Sequence, residues 1–140
     1  MKAESLTDSV IFTGILPREE IPRLLSESLV GGVAPLKRLV NLEYAAPTKA
    51  YEYMACGIPF VGCGNGEIAH LAKESGAGGV IAENTPEAIA ATLSKLLDDP
   101  EKMEEMGRRG GREYVAKHYD RRSVALKLKH YIERMAWTGV

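Results

Sequence analysis

The chain of 140 residues is poor in the residues that build covalent or metal frameworks. It has two cysteines and three histidines. Cys56 and Cys63 lack a spacing partner for zinc, and His70, His118 and His130 are scattered, so neither a disulfide scaffold nor a metal site is expected. Reduced thiols fit a cytoplasmic setting. No run of 18 apolar residues occurs, so no membrane span is expected. The first ten residues, MKAESLTDSV, lack the apolar stretch of a secretory signal. No excess of one charge exists either: the net charge is −1 with 26% charged residues. That argues against a general nucleic-acid or membrane surface. Arg108, Arg109 and Arg112 are balanced by Glu101, Glu104, Glu105 and Glu113 and read as a solvated helix face. Internal repeats and low-complexity stretches are absent.

What is present is 45% apolar content in a length suited to one domain. Val10, Ile11, Phe12 and Thr13 form a β-branched and aromatic run closed by Gly14, which predicts a buried strand. Pro17 and Pro22 mark a helix start with Ile21, Leu24 and Leu25 as its stripe. Residues 29–34 predict a second strand. Residues 36–46 then form a loop of a length that compact domains keep for binding. A helix over 48–56 stops at Gly57. Strand 59–63, a turn at Gly64, Asn65 and Gly66, helix 67–75 and strand 79–82 follow.

From Thr85 the pattern is helical. Thr85, Pro86 and Glu87 make a strong helix entry, and Asp120 caps a last helix with the stripe Val124, Leu128, Tyr131, Ile132 and Met135. The order β-α-β-α-β-α-β-α-α-α predicts an α/β fold: a Rossmann-like parallel sheet of about four strands, flanking helices and a helical C-terminal tail. The expected organisation is one domain over 1–140, with an α/β part at 1–83 and C-terminal helices at 84–140.

In such a sheet ligands sit at the carboxyl ends of the strands. The stretch "APTKAYEYMACGIPF" lies there. Pro47, Thr48 and Lys49 open a helix whose free N–H groups and positive dipole end suit a diphosphate. Lys49 adds a positive charge. Glu52, one turn on, can accept hydrogen bonds from two ribose hydroxyls, with the base near Gly14. Lys49 and Glu52 are also spaced i, i+3, so the alternative is a plain surface ion pair. Gly64, Asn65, Gly66 and Glu67 offer a second helix start, for which a simple tight turn is the alternative.

"PTKAYEYMACGIPFVGCGNGEI" resembles the donor-site signature of the group 1 (family 4-like) glycosyltransferases, which have the GT-B fold. "VIFTGILPREEIPRLL" is similar to a strand segment of that family's C-terminal domain. "ESGAGGVIAENTPEAIAATLSKLLDDPEKMEEMGRRGGREYV" resembles its tail, and "YDRRSVALKL" its last helix.

The resemblance implies part of a GT-B C-terminal domain. It also implies a retaining, hexosyltransferase-type reaction on a UDP- or GDP-sugar, without metal or other cofactor. Glu52 aligns with the second glutamate of the family's E-x7-E motif, which binds the donor ribose. Pro47, Thr48 and Lys49 align with the diphosphate loop and helix start. Ile15 and Leu16, after Gly14, match the base contact. No catalytic side chain is assigned.

Two departures stand out. Tyr44 occupies the first motif glutamate's position, with Glu43 one residue out of register. Either Glu43 contacts the transferred sugar along a different loop path, or the sugar is held otherwise. The acceptor-binding domain and the first two strands of the donor domain are also not in this sequence.

Residues 10–13 would be strand 3 and residues 29–34 strand 4 of the order 3-2-1-4-5-6. They are expected to pair directly, or strand 3 to be supplied to another chain. The expected partners are the missing domain, a separate chain supplying it, or a second copy. Any membrane attachment would run through a partner. A non-catalytic nucleotide- or protein-binding module, or a truncated remnant, is the alternative to an enzyme part.

Overall fold

The computed structural model describes residues 9–33, 47–81 and 85–137. The elements run α1 (Ile21–Ser26), β1 (Gly31–Val33), α2 (Thr48–Cys56), β2 (Phe60–Cys63), α3 (Glu67–Ser75), β3 (Gly78–Ile81), α4 (Pro86–Leu97) and α5 (Pro100–Glu105). A π-helical segment, Met106–Glu113, then leads into α6 (Tyr114–His118), and α7 (Arg121–Trp137) ends the described chain. The three strands are parallel and lie in the order β1-β2-β3. This is the expected fold class, with three strands among the described residues rather than four.

The central strand explains the layering. All four residues of β2 are buried, as a parallel strand covered on both faces requires. Alternation sends Phe60 to one face, with Ala50, Met54, Ile68, Leu71 and Ala72 of α2 and α3. Val61 and Cys63 go to the other face, with Ile81, Leu96 and Met103. Phe60 pairs in register with Gly31 on one side and Gly78 on the other. A Cβ at Gly78 would lie 2.7 Å from the Phe60 ring, and one at Gly31 would collide with the Tyr53 ring. The two aromatics therefore require glycine on the neighbouring strands.

Helix boundaries follow local chemistry. Gly57 and Gly76 adopt the left-handed conformation at the ends of α2 and α3 (φ 76° and 67°). Thr85 Oγ1 accepts the Ala88 N–H at 3.3 Å, and Asp99 Oδ1 accepts the Lys102 N–H at 3.0 Å. Asp120 caps α7 by accepting from both the N–H and the hydroxyl of Ser123, each at 2.9 Å.

The π-helical segment lies across the C-terminal ends of α2 and α3. A Cβ at Gly110 would be 2.6 Å from backbone atoms of Ser75, Gly76 and Ala77, and one at Gly111 would be 3.0 Å from the Met54 carbonyl. Glycine permits that backbone-on-backbone approach. Of the basic run, Arg108 and Arg112 are exposed, as expected of a solvated face. Arg108 pairs with Glu113 at 2.9 Å in the open, but Arg112 donates to the Cys56 carbonyl at 3.3 Å. Beyond it, the Tyr114 hydroxyl donates to Glu74 Oε2 at 3.0 Å and ties α6 to α3. Glu74 also faces His70 at 3.4 Å.

One expectation fails near the start of the chain. Residues 10–13 form no strand; Ile11 and Phe12 are 86% and 93% exposed. They do not pair with β1, so the first of the two expected arrangements is not formed. A strand is stabilised by its neighbours more than by its own residues, and none is in place here. The stripe of α7 is also exposed, from Val124 to Met135, so that helix does not pack on the core.

Candidate functional site

Helix α2 starts abruptly. Pro47 at its N-cap is extended (φ −61°, ψ 130°) and no side chain caps the helix. The Ala50 N–H turns back to the Pro47 carbonyl at 3.0 Å, so the Thr48 and Lys49 N–H groups face out of the helix end. Thr48 and Lys49 are exposed, and Glu52 is exposed one turn later. No ion pair joins Lys49 to Glu52 among the described residues. The surface-pair alternative is therefore not realised, and both charges are left available to a ligand.

Both side chains line one groove between α1 and α2, about 610 Å³ in volume. Arg18, Ile21, Leu25 and Tyr53 complete most of its wall, and Ala55 and Cys56 lie at its far end. Two other clefts, about 490 and 680 Å³, contain none of the sequence-predicted site residues. Arg18 and Tyr53 escaped the sequence reading. Arg18 directly follows the "GILP" turn, and a cation at that position was the signal available. Tyr53 sits beside Glu52 on α2. Its hydroxyl donates to the Gly32 carbonyl of β1 at 3.2 Å, which fixes the ring over Gly31 and makes it a rigid wall.

The other predicted residues are only partly assembled. Pro47 and Thr48 stand at the helix start. Gly14 takes a left-handed turn (φ 67°) as expected, but Gly14, Ile15 and Leu16 do not line the groove, and Ile15 is fully exposed. Glu43 and Tyr44, with the rest of 34–46, lie outside the described residues. At the end of β2, Gly64 has φ 115° and Glu67 begins α3, which is the tight turn expected there.

The electrostatics of the groove disfavour thiolate chemistry. Burial pushes the Cys56 thiol up, the Arg112 guanidinium pulls it down and Glu52 adds a smaller upward push. Burial and then Glu52 likewise raise the Tyr53 hydroxyl. Both groups stay protonated near neutrality and serve as wall rather than nucleophile. No cluster of three metal-ligating side chains occurs among the described residues. No described helix is long and apolar enough to cross a membrane.

The sequence profile of the family described as Glycosyl transferases group 1 matches residues 1–113. The chain belongs to the group 1 glycosyl transferases. It is similar to a 2-deoxystreptamine glucosyltransferase of Streptomyces kanamyceticus, with 27% identity over 128 residues. That match takes in 90% of this chain and 31% of the relative. Among solved structures, sucrose-phosphate synthase from Thermosynechococcus elongatus superposes with a TM-score of 0.77 at 23% identity. It covers 96% of this chain and 32% of that enzyme. The sheet and helices thus form part of a GT-B glycosyltransferase fold, and the chain spans about a third of the length of these two proteins.

Proposed function

We propose that this chain is the donor-binding part of a retaining, hexosyltransferase-type enzyme that uses a UDP- or GDP-sugar. The observation that carries the reading is the pairing of functions on α2. An uncapped helix start with Lys49 stands one turn from an exposed Glu52, in one groove, and the two do not neutralise each other. The Thr48 and Lys49 N–H groups and the Lys49 ammonium hold the diphosphate. Arg18, on the facing wall, adds a second cation. Glu52 accepts the two ribose hydroxyls, and the turn at Gly14, Ile15 and Leu16, which stands outside the groove, is the candidate for the base. Glu43 and Tyr44 remain the candidates for the transferred sugar.

The chemistry asked of this part is leaving-group stabilisation. As the bond to the sugar breaks, charge grows on the diphosphate, and dipoles already aimed there lower the barrier. The acceptor and the opposite wall belong to a further domain or a partner chain, so residues 1–140 alone are not expected to turn over substrate. The exposed apolar run at 10–13 favours this incomplete-enzyme reading over a free-standing binding module: it has no strand neighbour among the described residues.

Calorimetric titration of the chain with UDP and with GDP tests the assignment. One of the two should bind, and Glu52→Ala should weaken it about tenfold or more, because each hydrogen bond to a carboxylate contributes about 1.5–3 kcal/mol. Equal affinity in Glu52→Ala removes the ribose assignment.

A further inference from the structure

Helix α2 carries the donor wall but does little to fix its own start. No side chain caps it, so its first turn is held by tertiary packing. Ala50 is fully buried in the core. Tyr51, between Ala50 and Glu52, packs against the same core and does not line the donor groove. Its ring meets that of Tyr119, with centroids 4.7 Å apart and planes inclined at 56°. That is the separation and tilt of a favourable aromatic pair. Burial, then Tyr119, then Glu67 of α3 push the Tyr51 hydroxyl up, so Tyr51 stands within electrostatic reach of the start of α3.

Tyr119 is held from behind, without help from α2. Its N–H donates to the Val115 carbonyl at 2.8 Å and closes α6. Its ring lies 6.0 Å from that of Tyr114. The Tyr114 hydroxyl in turn donates to Glu74 of α3 at 3.0 Å. A line of contacts therefore runs from α3 through Tyr114 and Tyr119 to Tyr51, one residue from Glu52.

We infer that Tyr119 is a positioning residue for the donor site, acting on Glu52 through Tyr51. The inference rests on the donor reading of α2. Tyr119 lies outside the groove, so it acts only by holding the helix. Its ring sets where Tyr51 sits, and Tyr51 sets the rotation of the first turn of α2. Neighbouring side chains on a helix diverge by about 100°. A first turn that rolls toward a vacated Tyr119 site therefore swings Lys49 and Glu52 together. A turn already in place spares the ligand the cost of ordering it.

Calorimetric titration of the unaltered chain and its variants with UDP and with GDP tests this. Tyr119→Ala should weaken binding about three- to tenfold, the factor that an aromatic pair amounts to. Tyr119→Phe keeps the ring and should bind as the unaltered chain does. Leu93→Ala opens the core layer on the other face of the sheet. It should lower stability and leave binding unaltered. In the nitrogen-15 spectrum without nucleotide, the Lys49 and Glu52 amides should move in Tyr119→Ala and keep their places in Tyr119→Phe. Thermal melts establish that each variant is folded at the titration temperature. Tyr119→Leu, with apolar bulk but no ring, replaces the alanine variant if that one melts.

Unchanged affinity on removing the ring, while Glu52→Ala still weakens binding, overturns this inference and leaves the donor reading standing. An equal loss in Leu93→Ala makes Tyr119 a stability residue and also overturns it. No binding of either nucleotide by the unaltered chain removes the donor reading, and this inference with it.

Discussion

Phe60 and Phe12 are the only phenylalanines in the chain, and they have opposite fates. Phe60 is 0% exposed between two glycines on the neighbouring strands, while Phe12 is 93% exposed. Both sit in short apolar runs of the kind that reads as a buried strand. The difference lies in what surrounds them. β2 has a parallel neighbour on each side and helices on both faces; residues 10–13 have none among the described elements. Strand formation here follows from the supply of partners, and the same lesson covers α7, whose stripe is regular and uncovered.

The sharpest way to break that contrast is a pair of truncations. Phe60→Ala should cost about 3–5 kcal/mol through lost burial and a residual cavity. Phe12→Ala should stay within about 0.5 kcal/mol. Denaturant melts of the two variants measure both, and comparable losses would mean that residues 10–13 pack somewhere.

The glycines give a second, smaller contrast. Gly110→Ala drives a Cβ into the backbone of α3's C-terminus, and overpacking of that kind costs about 1–3 kcal/mol. Gly32→Ala, with nothing within 4 Å of its Cβ, should change stability by about 0.5 kcal/mol or less. Thermal unfolding of the pair reads the difference.

The third contrast concerns pH. Burial, then the neighbouring Tyr119, pushes Tyr51 up to about 12. Burial, then the hydrogen bond to Glu74, pushes Tyr114 up to about 12. Folding thus favours the protonated phenols. The stability they confer is fully present below about pH 10, the ordinary tyrosine value, and is lost as pH rises toward 12. Ultraviolet titration of Tyr114→Phe should lose one late-ionising phenol.

The interior was legible in the sequence because each boundary has its own local cause. Gly57 and Gly76 stop α2 and α3, Thr85 and Asp99 start α4 and α5, and the apolar run at 60–63 fits a strand buried on both faces. The π-helical segment was less legible. "MGRRGGRE" reads as a solvated basic face, and that its glycines press on α2 and α3 depends on elements some fifty and thirty residues away. At the site, Lys49 and Glu52 were readable from their place on one helix, and so was the helix start. Arg18 and Tyr53 were not: Arg18 reaches the groove through the packing of α1 on α2, and Tyr53 becomes its wall through the Gly32 carbonyl of β1, tertiary contacts that no local spacing encodes. The exposed position of Ile15 shows the converse: a turn can be recognised at Gly14 without its place relative to α2 being fixed.

The account rests on α2 as a donor wall, and a backbone amide titration tests it most directly. With nitrogen-15-labelled chain and the better-binding of UDP and GDP, the amides of Thr48, Lys49 and Glu52 should shift first and together, followed by Arg18, and Lys49→Ala should suppress the shifts at the helix start. Shifts confined to the clefts beside α4 and α6, with the α2 start unmoved, would contradict it.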